Sequence, residues 1–328
     1  MSSLVLFAGG RRIATSCQGD SEIRLWNVEN ARLEESHPPI DCRSAKGVTA
    51  VIAIAASNDG KYIVSGHDHR KVVIWSTETH PSCKLGELAM EGKITALDIS
   101  SDSLRVAGGS EDGTVVIWSI QTRERLLSPL KHQDSSPVAS VKFSSAGGRI
   151  ASSYRLVGGD SCSIRIWHSR TGILLESIHD AQSTYSLAWS ADSRRLFAGG
   201  CSGSVKCFDV TTRTLLPECR VPFRDLVTTL CVSQNSQFLM SVSSGRARFI
   251  DVWDIRDASS GKHLRSRSGV FMASTSPDDA RLVSVEKDNE ITMRNLSAII
   301  DRSYLFYVRK HNTLEFITLI LHPSVSSL

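Results

Sequence analysis

The tripeptide His67-Asp68-His69 is the one local cluster whose residue types could hold a metal, because two imidazoles and a carboxylate are standard ligands. Alternate residues of a strand share a face, so His67 and His69 could converge, yet two ligands without a third make a poor site. A polar hairpin accounts for the same residues, and no metal or cofactor is expected. Serine, histidine and aspartate are plentiful, but no nucleophile-elbow pattern frames a set of them. Gly108-Gly109 is followed by Ser110, without the lysine that a phosphate-binding loop requires. The six tryptophans raise the question of an aromatic cage for a cationic ligand. However, Trp26, Trp75, Trp118, Trp167 and Trp253 share one repeated slot, and Trp189 stands where Phe143 stands one repeat earlier, so packing explains them. The chain is expected not to be an enzyme.

The elements carrying these residues are strands. In the stretch from Lys93 to Ile120, Ile94, Leu97 and Ile99 mark a half-buried strand, and Ser100-Ser101-Asp102-Ser103 is a turn. Leu104 to Ala107 form a second strand, and a turn around Glu111-Asp112-Gly113 leads to a third at Thr114 to Trp118. Apolar alternation bounded by Ser/Asp/Gly clusters predicts antiparallel strands joined by tight turns.

This unit recurs along the chain. From the residue that opens the first turn to the residue that closes the third strand, the offset is 18 at Ala8–Trp26, Ser57–Trp75, Ser100–Trp118, Ser190–Phe208 and Ser276–Arg294. It is 23 at Ser144–Trp167 and 20 at Ser233–Trp253. Successive closing residues lie 49, 43, 49, 41, 45 and 41 apart, the period of four-stranded propeller blades.

On these residues the chain resembles the WD-repeat β-propeller family from about Leu4 to about Val308. The signature dipeptide is kept at Trp253-Asp254 and has drifted to Trp26-Asn27, Trp75-Ser76, Trp118-Ser119, Trp167-His168, Phe208-Asp209 and Arg294-Asn295. The family's Asp, six residues before the Trp, stands at Asp20, Asp112 and Asp288; the slot holds His69, Ser161, Ser202 and Ala247 elsewhere. No blade holds the family's full set of His, Ser/Thr, Asp and Trp, which predicts blades bonded internally less completely. The resemblance implies an all-β fold, a seven-bladed propeller of four-stranded antiparallel blades over residues 1–310. Residues 311–328 would add a strand or begin a further repeat. It also implies a non-catalytic scaffold that binds proteins or peptides through rim loops. The alternative is an enzyme or small-molecule binder using the central channel. Thr49, Thr95, Ala139 and Thr228 place small neutral residues on the inner strands, which favours the scaffold.

Composition agrees with an ordinary globular protein: 41% hydrophobic and 22% charged residues. A net charge of +4 is too weak to argue for nucleic acid. Eight cysteines show no CxxC pairing or disulfide-framework spacing, which points to a reducing compartment. The apolar run at Leu4–Phe7 is too short for a signal peptide and Phe316–Leu321 too short to cross a bilayer, so a cytoplasmic or nuclear protein without membrane contact is expected.

Candidate partner-binding residues follow from the repeat. The offset from the turn-opening Ser to the next strand is six at Ser57–Ile63, Ser100–Val106, Ser144–Ile150 and Ser190–Leu196, so the fourth repeat's extra residues lie after Ile150. There Tyr154 and Leu156 have no slot in the buried pattern and are expected to project from the rim. The residue before the Asp slot, at each second hairpin's tip, is Asp68, Glu111 and Asp160 early in the chain and Arg246 and Lys287 late. Loops leading into the later blades are expected to add Arg224, Arg265 and Arg267. An acidic arc facing a basic arc would orient a charged partner.

Overall fold

Short runs of β-branched and aromatic residues, each closed by a turn, pair every strand with the next in antiparallel order within a sheet. The resulting sheets were located in a computed structural model, which describes residues 3–7, 11–16, 21–28, 32–33, 38–43, 50–79, 82–131, 136–155, 162–179, 183–201, 204–216, 221–222, 226–243, 250–255, 262–267, 270–275, 281–286, 291–295, 305–310 and 317–322.

The first sheet contains β1 (Ser3–Phe7), β2 (Arg12–Ser16) and β3 (Glu22–Asn27); β4 (Arg32–Leu33) and β5 (Ile40–Asp41) both pair with β3 as two pieces of an outer strand. The second runs β6 (Val51–Ala56), β7 (Tyr62–His67), β8 (Lys71–Ser76), β9 (Cys83–Ala89). The third runs β10 (Ile94–Ile99), β11 (Arg105–Ser110), β12 (Thr114–Ser119), β13 (Leu130–Lys131). The fourth runs β14 (Val138–Phe143), β15 (Arg149–Tyr154), β16 (Cys162–His168), β17 (Leu174–His179). In the fifth, β18 (Thr184–Trp189), β19 (Arg195–Gly200) and β20 (Ser204–Asp209) precede a split outer strand, β21 (Thr214–Leu215) and β22 (Val221–Pro222). The sixth runs β23 (Val227–Val232), β24 (Phe238–Ser243), β25 (Ile250–Asp254), β26 (Lys262–Arg267). Then come a three-stranded sheet, β27 (Val270–Thr275), β28 (Arg281–Glu286), β29 (Ile291–Asn295), and a two-stranded one, β30 (Leu305–Lys310) with β31 (Ile317–His322).

The fold is thus an all-β propeller of four-stranded antiparallel blades. Among the described residues six sheets, not the expected seven, are complete blades. Among the described residues the seventh set is the three strands β27 to β29, and β30 pairs with the apolar β31 that follows, from Leu305↔His322 to Lys310↔Ile317. The inner strand β27 lies against both β23 and β1, and β30 runs beside β29.

Each core cluster spans two neighbouring sheets. Val64 and Ile74 of the second pack with Leu97 and Trp118 of the third, and Ala107 and Ile117 of the third with Val141 and Trp167 of the fourth. Met240 and Val252 of the sixth likewise pack with Leu282 of the three-stranded sheet. Burying one such side chain stabilises by about 1.5–3 kcal/mol, so each blade depends on its neighbours, as in other repeat proteins. The contact is closest at a glycine: a Cβ on Gly109 would meet Val138 Cγ1 of the next blade at 2.4 Å, and one on Gly66 would meet Ile94 Cγ2 at 2.7 Å.

Six inner strands carry a register shift after their first paired residue, which leaves Ile52, Thr95, Ala139, Tyr185, Thr228 and Phe271 out of the ladder. The expected small, neutral set is therefore corrected. Blade two contributes Ile52 at this position, Thr49 lies outside the described residues, and Tyr185 adds an aromatic ring.

Candidate interaction surface

Antiparallel alternation puts first and third turns on one rim and second hairpins, with the connections between blades, on the other. The first-turn rim is built from one device. Ser57, Ser100, Ser144, Ser190 and Ser233 are each at most 1% exposed. Each hydroxyl accepts the N–H five residues on, from Tyr62 (2.9 Å), Arg105 (3.0 Å), Arg149 (3.1 Å), Arg195 (2.9 Å) and Phe238 (2.9 Å). Four of them also donate to a carboxylate or amide oxygen two residues on: Asp59 (2.6 Å), Asp102, Asp192 (2.5 Å) and Asn235 (2.7 Å). This satisfies the turn locally and forces its fourth residue left-handed, at Gly60, Ser103, Gly147, Ser193 and Ser236.

The same rim is stitched between blades. The Ala146 N–H donates to Ser193 Oγ at 2.8 Å and the Ala191 N–H to Ser236 Oγ at 2.7 Å. The first residue of the second strand adds guanidinium bridges to the next blade. Arg105 donates to Ser169 Oγ (2.9 Å) and the Gly147 carbonyl (3.0 Å), Arg149 to the Ser193 carbonyl (3.3 Å), and Arg195 to the Ile255 carbonyl (3.2 Å). These arginines were missed from sequence, although an Arg five places after the turn serine was there to be read.

Inside the blades the hydrogen-bond set is rebuilt rather than lost. Trp26 Nε1 donates to Thr15 Oγ1 (2.9 Å), Trp75 Nε1 to Ser65 Oγ (2.8 Å) and Trp167 Nε1 to Ser152 Oγ (3.0 Å). A third partner comes from the same second strand: His67 Nε2 lies 2.8 Å from Ser65 Oγ, and the Tyr154 hydroxyl 2.9 Å from Ser152 Oγ. Burial pulls the His67 imidazole down to about 4, so it is neutral at physiological pH. His67 and His69 do not converge: the first is buried against Ser65, while the His69 side chain is 57% exposed. Burial pushes the neighbouring Cys42 thiol up to about 12, which makes it an inert core residue.

Tyr154 corrects an expectation. It is fully buried, in one cluster with Val138 and Trp167, because it is the last residue of β15, paired with Val138 in the slot that the buried His67 fills opposite Val51 in blade two. The extra residues do lie after Ile150: Ser153 pairs with Ile164, 11 residues on, where Gly109 pairs with Val115, six residues on.

On the second-hairpin rim, Asp68 is half-buried and Glu111 exposed. Asp112, in the family's Asp slot, shapes its hairpin by accepting from the Thr114 N–H (2.9 Å) and hydroxyl (2.6 Å), leaving Glu111 to solvent. His69 Nε2 lies 3.7 Å from Asp68 Oδ1, beyond hydrogen-bond distance. Arg155, exposed at the start of the blade-four excursion, holds its guanidinium 5.7 Å from the Tyr185 ring centre; this pair was not singled out from sequence. Leu156, Asp160, Arg224, Arg246 and Lys287 lie outside the described residues. Arg265 and Arg267 were expected in a loop leading into a blade. They stand instead on the outer strand β26, opposite Val252 and Ile250, because edge strands favour basic residues.

On the inner strands Lys142 Nζ lies 2.8 Å from Asp98 Oδ1, and Asp98 Oδ2 accepts the Phe143 N–H at 2.8 Å. This charge pair ties blade three to blade four. Among the described residues no helix is long and apolar enough to cross a membrane.

The sequence profile of a family described as "Nucleolar protein 10-like, N-terminal domain" matches residues 21–211. No curated protein sequence matches the chain. A chain of the solved structure "Crystal Structure of Mitotic Checkpoint Complex" is similar in fold, with a TM-score of 0.76 and 19% identity over 90% of this chain and 89% of that one. As 1881 solved chains match, the likeness fixes the architecture and selects no partner.

Proposed function

Because the chain belongs to the family of nucleolar protein 10-like N-terminal propeller domains, we propose that it is a non-catalytic nuclear scaffold that binds proteins or peptides through its second-hairpin rim. The observation that carries this is the contrast between the rims. One has its turn polar groups and arginines consumed in stitching blades together. The other presents Glu111 to solvent, with the neighbouring-blade Asp68 half-buried and one of its carboxylate oxygens buried without a hydrogen bond among the described residues. A face held rigid by its opposite face is a preorganised platform. Asp68, Glu111 and Asp160 form its acidic arc, and Arg224, Arg246 and Lys287 its basic arc, with Leu156 as an apolar anchor and Arg265 and Arg267 on the flanking edge. Nuclear location and macromolecular assembly are supported by the family's name and by the complex in which the similar fold occurs.

We read the ring as seven blade positions over residues 1–310, with β27 to β30 as the seventh and β31 as an added strand. The placement of β27 between β23 and β1 supports this.

The test is affinity purification with mass spectrometry on the wild type, on Asp68→Lys/Glu111→Lys, and on Glu124→Lys, a control on the other rim. Partners lost with the first variant and kept with the control support the reading. Identical partner sets for all three would refute it.

A further inference from the structure

The end of the second strand is anchored in the same way in blades two to five. The N–H of Asp68 donates to the Ala50 carbonyl (3.3 Å), that of Glu111 to Lys93 (2.9 Å), that of Arg155 to Pro137 (3.0 Å) and that of Cys201 to Ser183 (3.1 Å). Each acceptor immediately precedes the inner strand of its own blade, so the four donors hold one repeated place on the second-hairpin rim. Two residues after each acceptor stands the residue that the register shift leaves out of the ladder: Ile52, Thr95, Ala139 and Tyr185. The residues just before these, Val51, Ile94, Val138 and Thr184, are buried, whereas Ile52 is exposed and the other three are half-buried. The bulge turns them out of the packed interface, and because the inner strands touch one another around the ring they encircle the mouth of the axial channel.

The contact of the Arg155 guanidinium with the Tyr185 ring, 5.7 Å from its centre, shows that an anchored residue faces the bulged residue of the next blade. The repeat therefore sets Asp68 toward Thr95 and Glu111 toward Ala139. Arg155 reverses the charge that Asp68 and Glu111 give this place on the two preceding blades. It is exposed, and among the described residues no carboxylate pairs with it. Glu111 is exposed too, and among the described residues it forms no ion pair with the exposed Lys93. Ala139, the smallest of the four bulged residues, lies between these two unpaired charges and leaves room there.

Resting on the rim reading above, we propose that this mouth binds an extended peptide bearing one acidic and one basic side chain, the carboxylate on Arg155, the base on Glu111, and an apolar residue between them over Ala139. Stacking on Tyr185 holds the planar guanidinium in place, and its fork of donors takes a carboxylate through two parallel N–H bonds. Stacked sheets lie ~10 Å apart and an extended chain rises about 3.3 Å per residue, so the base and the acid stand about three residues apart. A nucleic acid strand is the poorer occupant, because its row of phosphates would run past Glu111 and Asp68 with like charge.

The test uses the full chain and fluorescein-labelled glycine–serine peptides in which one arginine and one glutamate, with a leucine between them, are placed at every separation. Anisotropy should show saturable binding, tightest at a separation of about three residues. Arg155→Glu should weaken the best peptide at least ~10-fold, about 1.4 kcal/mol, and binding should return when that peptide's glutamate is replaced by arginine. Tyr185→Leu should weaken it less, and poly-uridine should not displace it. No saturable binding by any peptide, equal binding by Arg155→Glu, or displacement by poly-uridine overturns the proposal. Loss of binding in Glu111→Lys with none in Arg155→Glu would keep the rim as the binding face and refute this site, whereas indifference to both changes would refute the rim as well.

Discussion

The backbone N–H of Ala146, in the first turn of blade four, donates to the hydroxyl of Ser193, in the first turn of blade five, at 2.8 Å. Ser193 holds a left-handed backbone, φ 58°, while serving as this bridge. Left-handed conformation costs a non-glycine residue about 1–2 kcal/mol, and here a cross-blade bond offsets it. Ser193→Ala keeps the strain and removes the acceptor of this part-buried hydrogen bond, so a loss of about 0.5–1.5 kcal/mol is expected in urea unfolding. Ser103→Gly, at the equivalent turn position with φ 58°, should instead stabilise by about 0.5–1 kcal/mol. Two changes of the same sign would contradict the bridge.

Gly109→Ala places a methyl 2.4 Å from Val138 Cγ1 in the next blade. Overpacking of this kind costs about 1–3 kcal/mol. A thermal unfolding midpoint unchanged from wild type would show that the blades separate freely at this contact.

Tyr154→Ala removes a fully buried ring from the interface of blades three and four and a hydroxyl partner from Ser152. A loss of about 3–5 kcal/mol is expected in chemical unfolding, by analogy with other buried aromatic truncations. An effect below ~0.5 kcal/mol would return Tyr154 to the surface role its sequence position suggested.

His67 gives the blade core a pH dependence. Its folded value, about 4, lies below the ordinary 6.5, so the unfolded chain binds the proton more readily between these limits. The contribution is therefore complete above pH 6.5 and is lost as pH falls toward 4, by an amount of order 3 kcal/mol. Blade four carries Tyr154 at the corresponding place, which makes His67→Tyr the natural replacement. That variant should fold and show a smaller drop in unfolding midpoint between pH 6.5 and 4; an equal drop would assign the dependence to other groups.

The repeat was legible because buried positions recur at fixed distance from a turn serine whose hydroxyl has a fixed task. Ser57, Ser100 and Ser190 anchored the offsets, and they are the residues that organise the turns. Blade four's excursion was located by the same measure. Tyr154 misled because its slot holds His67 in blade two, and a polar residue there concealed that the position is buried. Outer strands were hard to place because they pair on one side only and show little alternation; Arg265 and Arg267 read as loop for that reason. The arginine stitches join residues 42 or more positions apart, as Arg105 joins Gly147, and local periodicity carries no trace of such a bond. Among the described residues β30 pairs with β31 and not with β29, and composition alone does not show which neighbour an apolar strand takes.

The central claim is that the second-hairpin rim, with acidic and basic arcs, receives the partner. Its most direct test is the association rate of a recovered partner with the wild type and with Arg246→Glu/Lys287→Glu, measured at low ionic strength and again near 1 M salt, where screening shortens the field to about 3 Å. The account predicts slower association for the variant at low salt and nearly equal rates at high salt. Equal rates at low salt would contradict it.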